Sequence, residues 1–224
     1  MLVVALVLGL LPGFAWLIFY LSEDTHPEPK RLILLTFFSG VAFGFFTVAI
    51  EETLNGSFMQ WGLATFSLLS LIGFAFVEEF MKFGAAYFAV GKSEVLNDPV
   101  DRMIYMVVAA LGFATLENIG AIANIPAQTA LIGVFFETAS LRFVGATLLH
   151  TLTSGILGYH WAKGVARGKI ARNLTIGFVI ATVLHAAFNY LILNYGDIAY
   201  SIVFLVIVGF FVLNDFEKLK PQVA

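Results

Sequence analysis

The chain has 224 residues, 60% of them hydrophobic and only 12% charged, and its mean hydropathy is +0.92. Soluble domains carry about twice that share of charge, so the composition excludes a water-soluble globular domain and leaves no length for a second one beside a bundle of membrane spans. The net charge of −3 is spread over loops with no basic tract, which argues against nucleic acid as a partner, and the lack of cysteine excludes thiol catalysis, cysteine-zinc sites and disulfides.

Seven apolar runs are visible, each near the ~20 residues a helix needs to cross a bilayer. They cover 2–21, 32–50, 60–90, 100–124, 139–161, 173–194 and 198–213. The expected fold is an all-α polytopic bundle of about seven transmembrane helices. It is read as a single transmembrane domain, 1–224, with catalytic helices at about 60–194 and peripheral helices at 2–50 and 198–213. The first run carries no Lys or Arg, is interrupted by Pro12-Gly13 and is followed by Glu23 and Asp24. A cleaved leader begins with positive charge, so this run is read as a retained span. Asp98 is expected to cap the fourth helix, with Pro99 at its first position and Asp101 in its first turn. Pro126 is expected to close that helix, and Asn173 to start the sixth. The apolar segment 127–138 reads either as an interfacial helix or as the beginning of span five.

Lys and Arg set the orientation. They occur at Lys30 and Arg31, at Lys92 and Arg102, at Lys163, Arg167, Lys169 and Arg172, and at Lys218 and Lys220, in alternate connections only. The N-terminus is therefore predicted outside and the C-terminus in the cytoplasm.

Ionisable groups within the spans are concentrated in runs three to six: Glu78, Glu79, Lys82, Glu117, Arg142, His150 and His185, with Asn118 and Asn189 beside them. A charge at that depth costs about 2.5–3.5 kcal/mol even on a lenient insertion scale, so such groups face the bundle interior and one another. Glu78 and Lys82 are spaced for an i,i+4 pair, which leaves Glu79 without a local partner. His185 and Asn189 share a face at the same spacing. Thr147, His150, Thr151, Ser154 and Gly158 form a small and polar stripe suited to close helix approach. Arg142 is near enough to the outer surface to snorkel there, and Glu117 is a candidate counter-ion for Lys82 or Arg142. His26 and His160 read as solvated, and Tyr105 as packing.

Two chemistries fit this set. Glu79 can act as general base on water while His185 and Asn189 steady the oxyanion and Lys82 compensates Glu78. Alternatively, Glu117, His150 and His185 hold a divalent metal such as zinc with one position open, and a glutamate serves as base. Both predict peptide-bond hydrolysis within the membrane. A proton-coupled transporter uses similar residues, but the inverted repeats and broken helices that go with that reading are not seen. In a non-catalytic scaffold, Glu79 and His185 would be dispensable.

Glu78-Glu79-Phe80-Met81-Lys82 resembles the EExxK motif of the PrsW family of intramembrane proteases. The resemblance continues through Asp98-Pro99-Val100-Asp101, Gly112-Phe113-Ala114-Thr115-Leu116-Glu117-Asn118, Arg142, His150 and His185 to Asn189, in family order over about residues 70–195. CAAX prenyl endopeptidases and bacteriocin-processing membrane proteases are looser relatives with a paired-glutamate helix and a later histidine motif. The resemblance implies a membrane peptidase of a prokaryotic cytoplasmic membrane. Its implied substrate is a membrane protein such as a single-span anti-sigma factor. It implies Glu78, Glu79 and His185 as the catalytic core and Glu117, His150 and Asn189 as the supporting or ligating shell, and it leaves metal and metal-free mechanisms both open.

Overall fold

The computed structural model describes residues 2–22, 26–129, 131–195 and 198–219. Among the described residues eight α-helices follow in order: α1 (Leu2–Ser22), α2 (Lys30–Gln60), α3 (Leu68–Val90), α4 (Asp101–Ala123), α5 (Ile132–Arg142), α6 (Leu148–Ala166), α7 (Ile170–Tyr195) and α8 (Ile198–Leu219). A five-residue π-helical turn, Phe143–Thr147, joins α5 to α6, so residues 132–166 form one continuous helical run. Of the segment 127–138, residues 132–138 therefore open the fifth span, and residue 130 lies outside the described residues. By length and composition, six helical runs among the described residues can cross a membrane. Helix α3 has the length, at 23 residues, but carries Glu78, Glu79 and Lys82. Residues 23–24, 196–197 and Lys220, which entered the sequence reading, lie outside the described residues.

Helix α4 is the axis of the bundle. Every residue from Met103 to Thr115 is buried, and α1, α2, α3 and α6 all pack on it. Its Ala109, Ala110, Gly112 and Ala114 keep the surface low, which matters in lipid, where close van der Waals packing has to hold helices together. The crossing with α2 is the tightest. A Cβ on Gly40 would run into the carbonyl oxygen of Ala109, and one on Gly112 into that of Phe37, so backbone meets backbone there. Phenylalanines such as Phe45, Phe46, Phe210 and Phe211 point outward and suit a hydrocarbon environment.

Four boundaries differ from the sequence reading. Helix α2 continues through the expected loop at 51–59, carrying the Asn55-Gly56 pair inside it, and ends at Gln60 just ahead of Gly62, where φ is 76°. Helix α3 correspondingly begins at Leu68, capped by Ser67, whose hydroxyl accepts from Ser70 N–H. At α4 the capping roles are reversed: Asp101 Oδ2 accepts from the Asp98 backbone N–H at 2.7 Å, a reach-back of the kind acidic side chains make in a first turn. Asn173 lies one turn inside α7, not at its start, and donates to Lys169 O.

Candidate active site

Glu78 and Glu79 occupy successive positions on α3 and so diverge by about 100°. Glu79 points into the bundle and has no solvent exposure. Its Oε1 accepts from Lys82 Nζ at 2.6 Å, Thr153 Oγ1 at 3.0 Å and His185 Nδ1 at 2.7 Å. Lys82 thus pairs with Glu79, at i,i+3, and stands 4.0 Å from Glu78. The expected Glu78–Lys82 pair is present at the longer distance, and the correction is that Glu79, expected to have no local partner, holds Lys82 more closely. Both spacings bring side chains onto one helix face, and the fully buried carboxylate is the one that needs the counter-charge. Lys82 is itself fully buried, with its ammonium 5.4 Å from the Phe113 ring centroid.

The two histidines meet opposite α3, their ring centroids 5.2 Å apart and nearly perpendicular. Lys82 Nζ lies 2.9 Å from His150 Nδ1. An ammonium can only donate, so Nδ1 accepts and the Nε2–H of a neutral His150 donates to Glu117 Oε2 at 2.9 Å. His185 Nδ1–H donates to Glu79, which leaves its Nε2 with a lone pair. Glu78 Oε2 lies 3.8 Å from His150 Nδ1 and 3.6 Å from His185 Nε2, and it is a buried oxygen without a hydrogen-bond partner.

Glu78, His150 and His185 are the metal-competent group among the described residues. One ligand atom from each lies within 4.8 Å of the other two; ligands around tetrahedral zinc at about 2.0–2.1 Å are about 3.3 Å apart, so a small contraction of the trio brings it around an ion. Each imidazole is braced on its other nitrogen by a carboxylate, Glu79 for His185 and Glu117 for His150, the arrangement that fixes tautomer and ring orientation at metal sites. The donor set fits a divalent metal. Glu117, expected as the carboxylate ligand, lies on the far nitrogen of His150, and Glu78 occupies the near side.

Glu117 is held in turn. Arg142 Nη2 donates to its Oε2 at 3.0 Å, and Arg142 Nε donates to Asn118 Oδ1. Asn118 Nδ2 reaches Thr147 Oγ1 at 3.0 Å. Arg142 therefore turns inward instead of snorkelling. The π turn lies between Arg142 and His150, and both reach Glu117. Trp16 Nε1 donates to Phe143 O within that turn at 3.0 Å. Asn189, one turn beyond His185, lines a cavity of about 460 Å³ together with Glu78, Glu51 and Asn55.

Thr153 escaped the sequence reading because it falls off the small and polar stripe; its signal was the i,i+3 spacing from His150. Glu51 and Asn55 escaped it because that segment read as loop. His26, expected to be solvated, is exposed and pairs with Asp98 at 2.8 Å. His160 is half-buried at the far end of α6. Tyr105 does more than pack: its hydroxyl donates to Glu28 at 2.6 Å.

Carboxylates and imidazoles converging inside a bundle of membrane-length helices define an intramembrane hydrolase centre. The chain belongs to the PrsW family of intramembrane metalloproteases, whose family model matches residues 28–213. It is 32% identical to Protease PrsW of Geobacillus kaustophilus (strain HTA426) over 187 residues, 83% of this chain and 78% of that protein. It is 29% identical to Protease PrsW of Bacillus subtilis (strain 168) over 216 residues, 95% of this chain and 94% of that protein. With Protease PrsW of Clostridioides difficile (strain 630) it shares 27% over 218 residues, 95% of this chain and 88% of that protein. No solved structure matches. The protein is a multi-pass enzyme of the cytoplasmic membrane, a protease acting on membrane-protein substrates.

Proposed function

We propose that this protease cuts single-span membrane proteins within the bilayer, using water activated beside Glu78, His150 and His185. All seven long helical runs, α3 included, cross in this reading, with the N-terminus outside and the chain forming one domain. A single-span anti-sigma factor is the substrate class that the family resemblance supports. The observation that carries the reading is the convergence of Glu78 Oε2 and the two histidine lone pairs, with each ring braced from behind by a carboxylate.

Glu78, His150 and His185 would hold the metal. When bound, zinc supplies Lewis-acid polarisation of the scissile carbonyl and lowers the cost of deprotonating water. Glu79 and Glu117 keep the imidazoles oriented. Full burial and three donors on one oxygen favour a positioning role for Glu79 over that of general base. Lys82 balances the two α3 carboxylates, and Arg142 and Asn118 hold Glu117. Asn189, in the cavity beside Glu78, is placed to donate to the developing oxyanion.

One contact favours a second, metal-independent reading: Lys82 Nζ donates to the His150 lone pair that a metal would use. Glu78 would then be the base. The deciding experiment is metal analysis of purified, reconstituted protein together with cleavage of a single-span reporter before and after chelation. The metal reading expects about one divalent ion per chain, loss of cleavage on stripping, and recovery on adding zinc. Undiminished cleavage by metal-stripped protein overturns it in favour of the second.

A further inference from the structure

The cavity beside Glu78 is framed by the C-terminal half of α2, the N-terminal half of α3 and the C-terminal half of α7. Its wall on α2 is polar without an evident structural need. Glu51 and Asn55 both line it, and Glu51 Oε1 and Asn55 Oδ1 are buried oxygens without a hydrogen-bond partner. Glu78, opposite them, is 8% exposed and likewise has an unpartnered oxygen. Unmet buried acceptors are costly at about 1–3 kcal/mol each. Two on adjacent turns of one helix, in residues that line a cavity at the reaction centre, point to a ligand that brings donors.

The chemistry says which donors. A peptide bond inside a transmembrane helix is shielded by its own helix and has to be unwound before water can reach its carbonyl. In lipid, every backbone N–H freed by unwinding needs an acceptor. Residues four apart on a helix are about 6 Å apart along its axis. Alternate residues of an extended strand, whose N–H groups point to the same edge, are about 6.6–6.8 Å apart. The Glu51–Asn55 spacing therefore matches two successive same-edge N–H groups of an extended chain. The terminal torsions of both side chains are soft, so each oxygen can turn to the cavity at small cost. Apolar walls at Leu71, Phe74 and Ile192 suit the substrate's side chains.

We propose that Glu51 and Asn55 form a substrate subsite that accepts two backbone N–H groups of an extended, locally unwound segment of a membrane-spanning substrate and holds its scissile bond beside Glu78. The subsite rests on the proteolytic reading of the neighbouring centre. It selects spans that unwind readily, those with Gly or Pro near the cleavage point, over uniform Leu-rich helices.

The test uses the full-length protein in proteoliposomes and two single-span reporters, one with a Gly-Pro pair in its outer half and one built of leucine and alanine only. Glu51→Leu and Asn55→Leu are each expected to raise KM for the Gly-Pro reporter about fivefold, in line with one lost hydrogen bond, with kcat and metal content retained. Glu51→Gln keeps an acceptor oxygen and is expected to raise KM only about twofold. A hundredfold fall in kcat for Glu51→Gln at constant KM would make Glu51 the base that takes the proton of water, and the proposal would be wrong. Unchanged KM in both leucine variants overturns it equally. If the unaltered protein cleaves neither reporter, the proteolytic reading fails on its own, and a photoreactive benzophenone residue at position 52 decides the subsite. A crosslink to the Gly-Pro reporter and not to the Leu-Ala one supports the subsite; no crosslink to either, or equal crosslinking to both, overturns it.

Discussion

Nδ1 of His185 lies 2.7 Å from Oε1 of Glu79, while Nε2 of the same ring lies 3.6 Å from Oε2 of Glu78. Consecutive residues of α3 thus address opposite edges of one imidazole. The two glutamates share a sequence motif yet play different parts. Glu79 braces the ring, and Glu78 shares its lone-pair side. The first two predictions separate them.

Glu79→Gln keeps an oxygen for His185 but removes the charge that balances Lys82. We expect roughly 10–100-fold loss of metal affinity and of cleavage, the usual cost of losing a brace behind a ligand. Metal titration by calorimetry and single-turnover cleavage of a reporter span check this; full activity would deny Glu79 any part in the centre.

Glu78→Gln removes the carboxylate that faces both lone pairs. Because Glu78 Oε2 has no hydrogen-bond partner, the fold should keep its thermal midpoint in detergent. Bound metal should fall well below one per chain, and cleavage should drop by more than the roughly 100-fold upper limit expected for Glu79→Gln. Retained metal with lost cleavage would instead favour Glu78 as base.

Lys82→Met leaves the fully buried Glu79 without its cation. Breaking a buried pair from one side costs about 3–5 kcal/mol, so the variant should unfold at markedly lower temperature or denaturant concentration. The double variant Lys82→Met/Glu79→Gln should regain part of that stability without regaining activity. Fluorescence-monitored unfolding in mild detergent measures both; equal stability of the single and double variants would contradict the pairing.

Gly112→Ala inserts a methyl group where α4 touches the backbone of α2. Overpacking of this kind costs about 1–3 kcal/mol. Gly120→Ala, in the same helix with no heavy atom within 4 Å of the added carbon, should be neutral or stabilising by about 0.5–1 kcal/mol. The two unfolding midpoints should therefore move in opposite directions or differ clearly; identical shifts would argue against the close crossing.

Hydropathy alone fixed the class of fold, because the cost of exposing a helix backbone to lipid admits few alternatives. The convergence of Glu78, Glu79, Glu117, His150 and His185 was legible because charges at matching depth must satisfy one another. Pair identities were not legible. Lys82 can reach back to either Glu78 or Glu79, and helix periodicity allows both; the choice depends on which carboxylate the neighbouring helices bury. Glu117 and Glu78 were exchanged as ligand candidates for a similar reason, since depth says nothing about which nitrogen of His150 a carboxylate approaches. The extension of α2 past residue 50 was missed because Glu51, Glu52 and the Asn55-Gly56 pair resemble a loop, whereas the structure keeps all four residues within the helix.

The π turn at Phe143–Thr147 has an implication for how this helix tolerates change in length. A wide turn of this kind already absorbs one extra residue, so one more residue added there rotates everything downstream by about 100° relative to the segment before it. With α6 docked in place, Arg142 would swing off Glu117; with α5 docked, His150 and Thr153 would face away from α3. The phase of the two halves is thus set by a single wide loop of backbone, pinned at Phe143 O by the indole of Trp16, and a one-residue insertion in that loop would disable the enzyme while leaving every functional side chain in the chain.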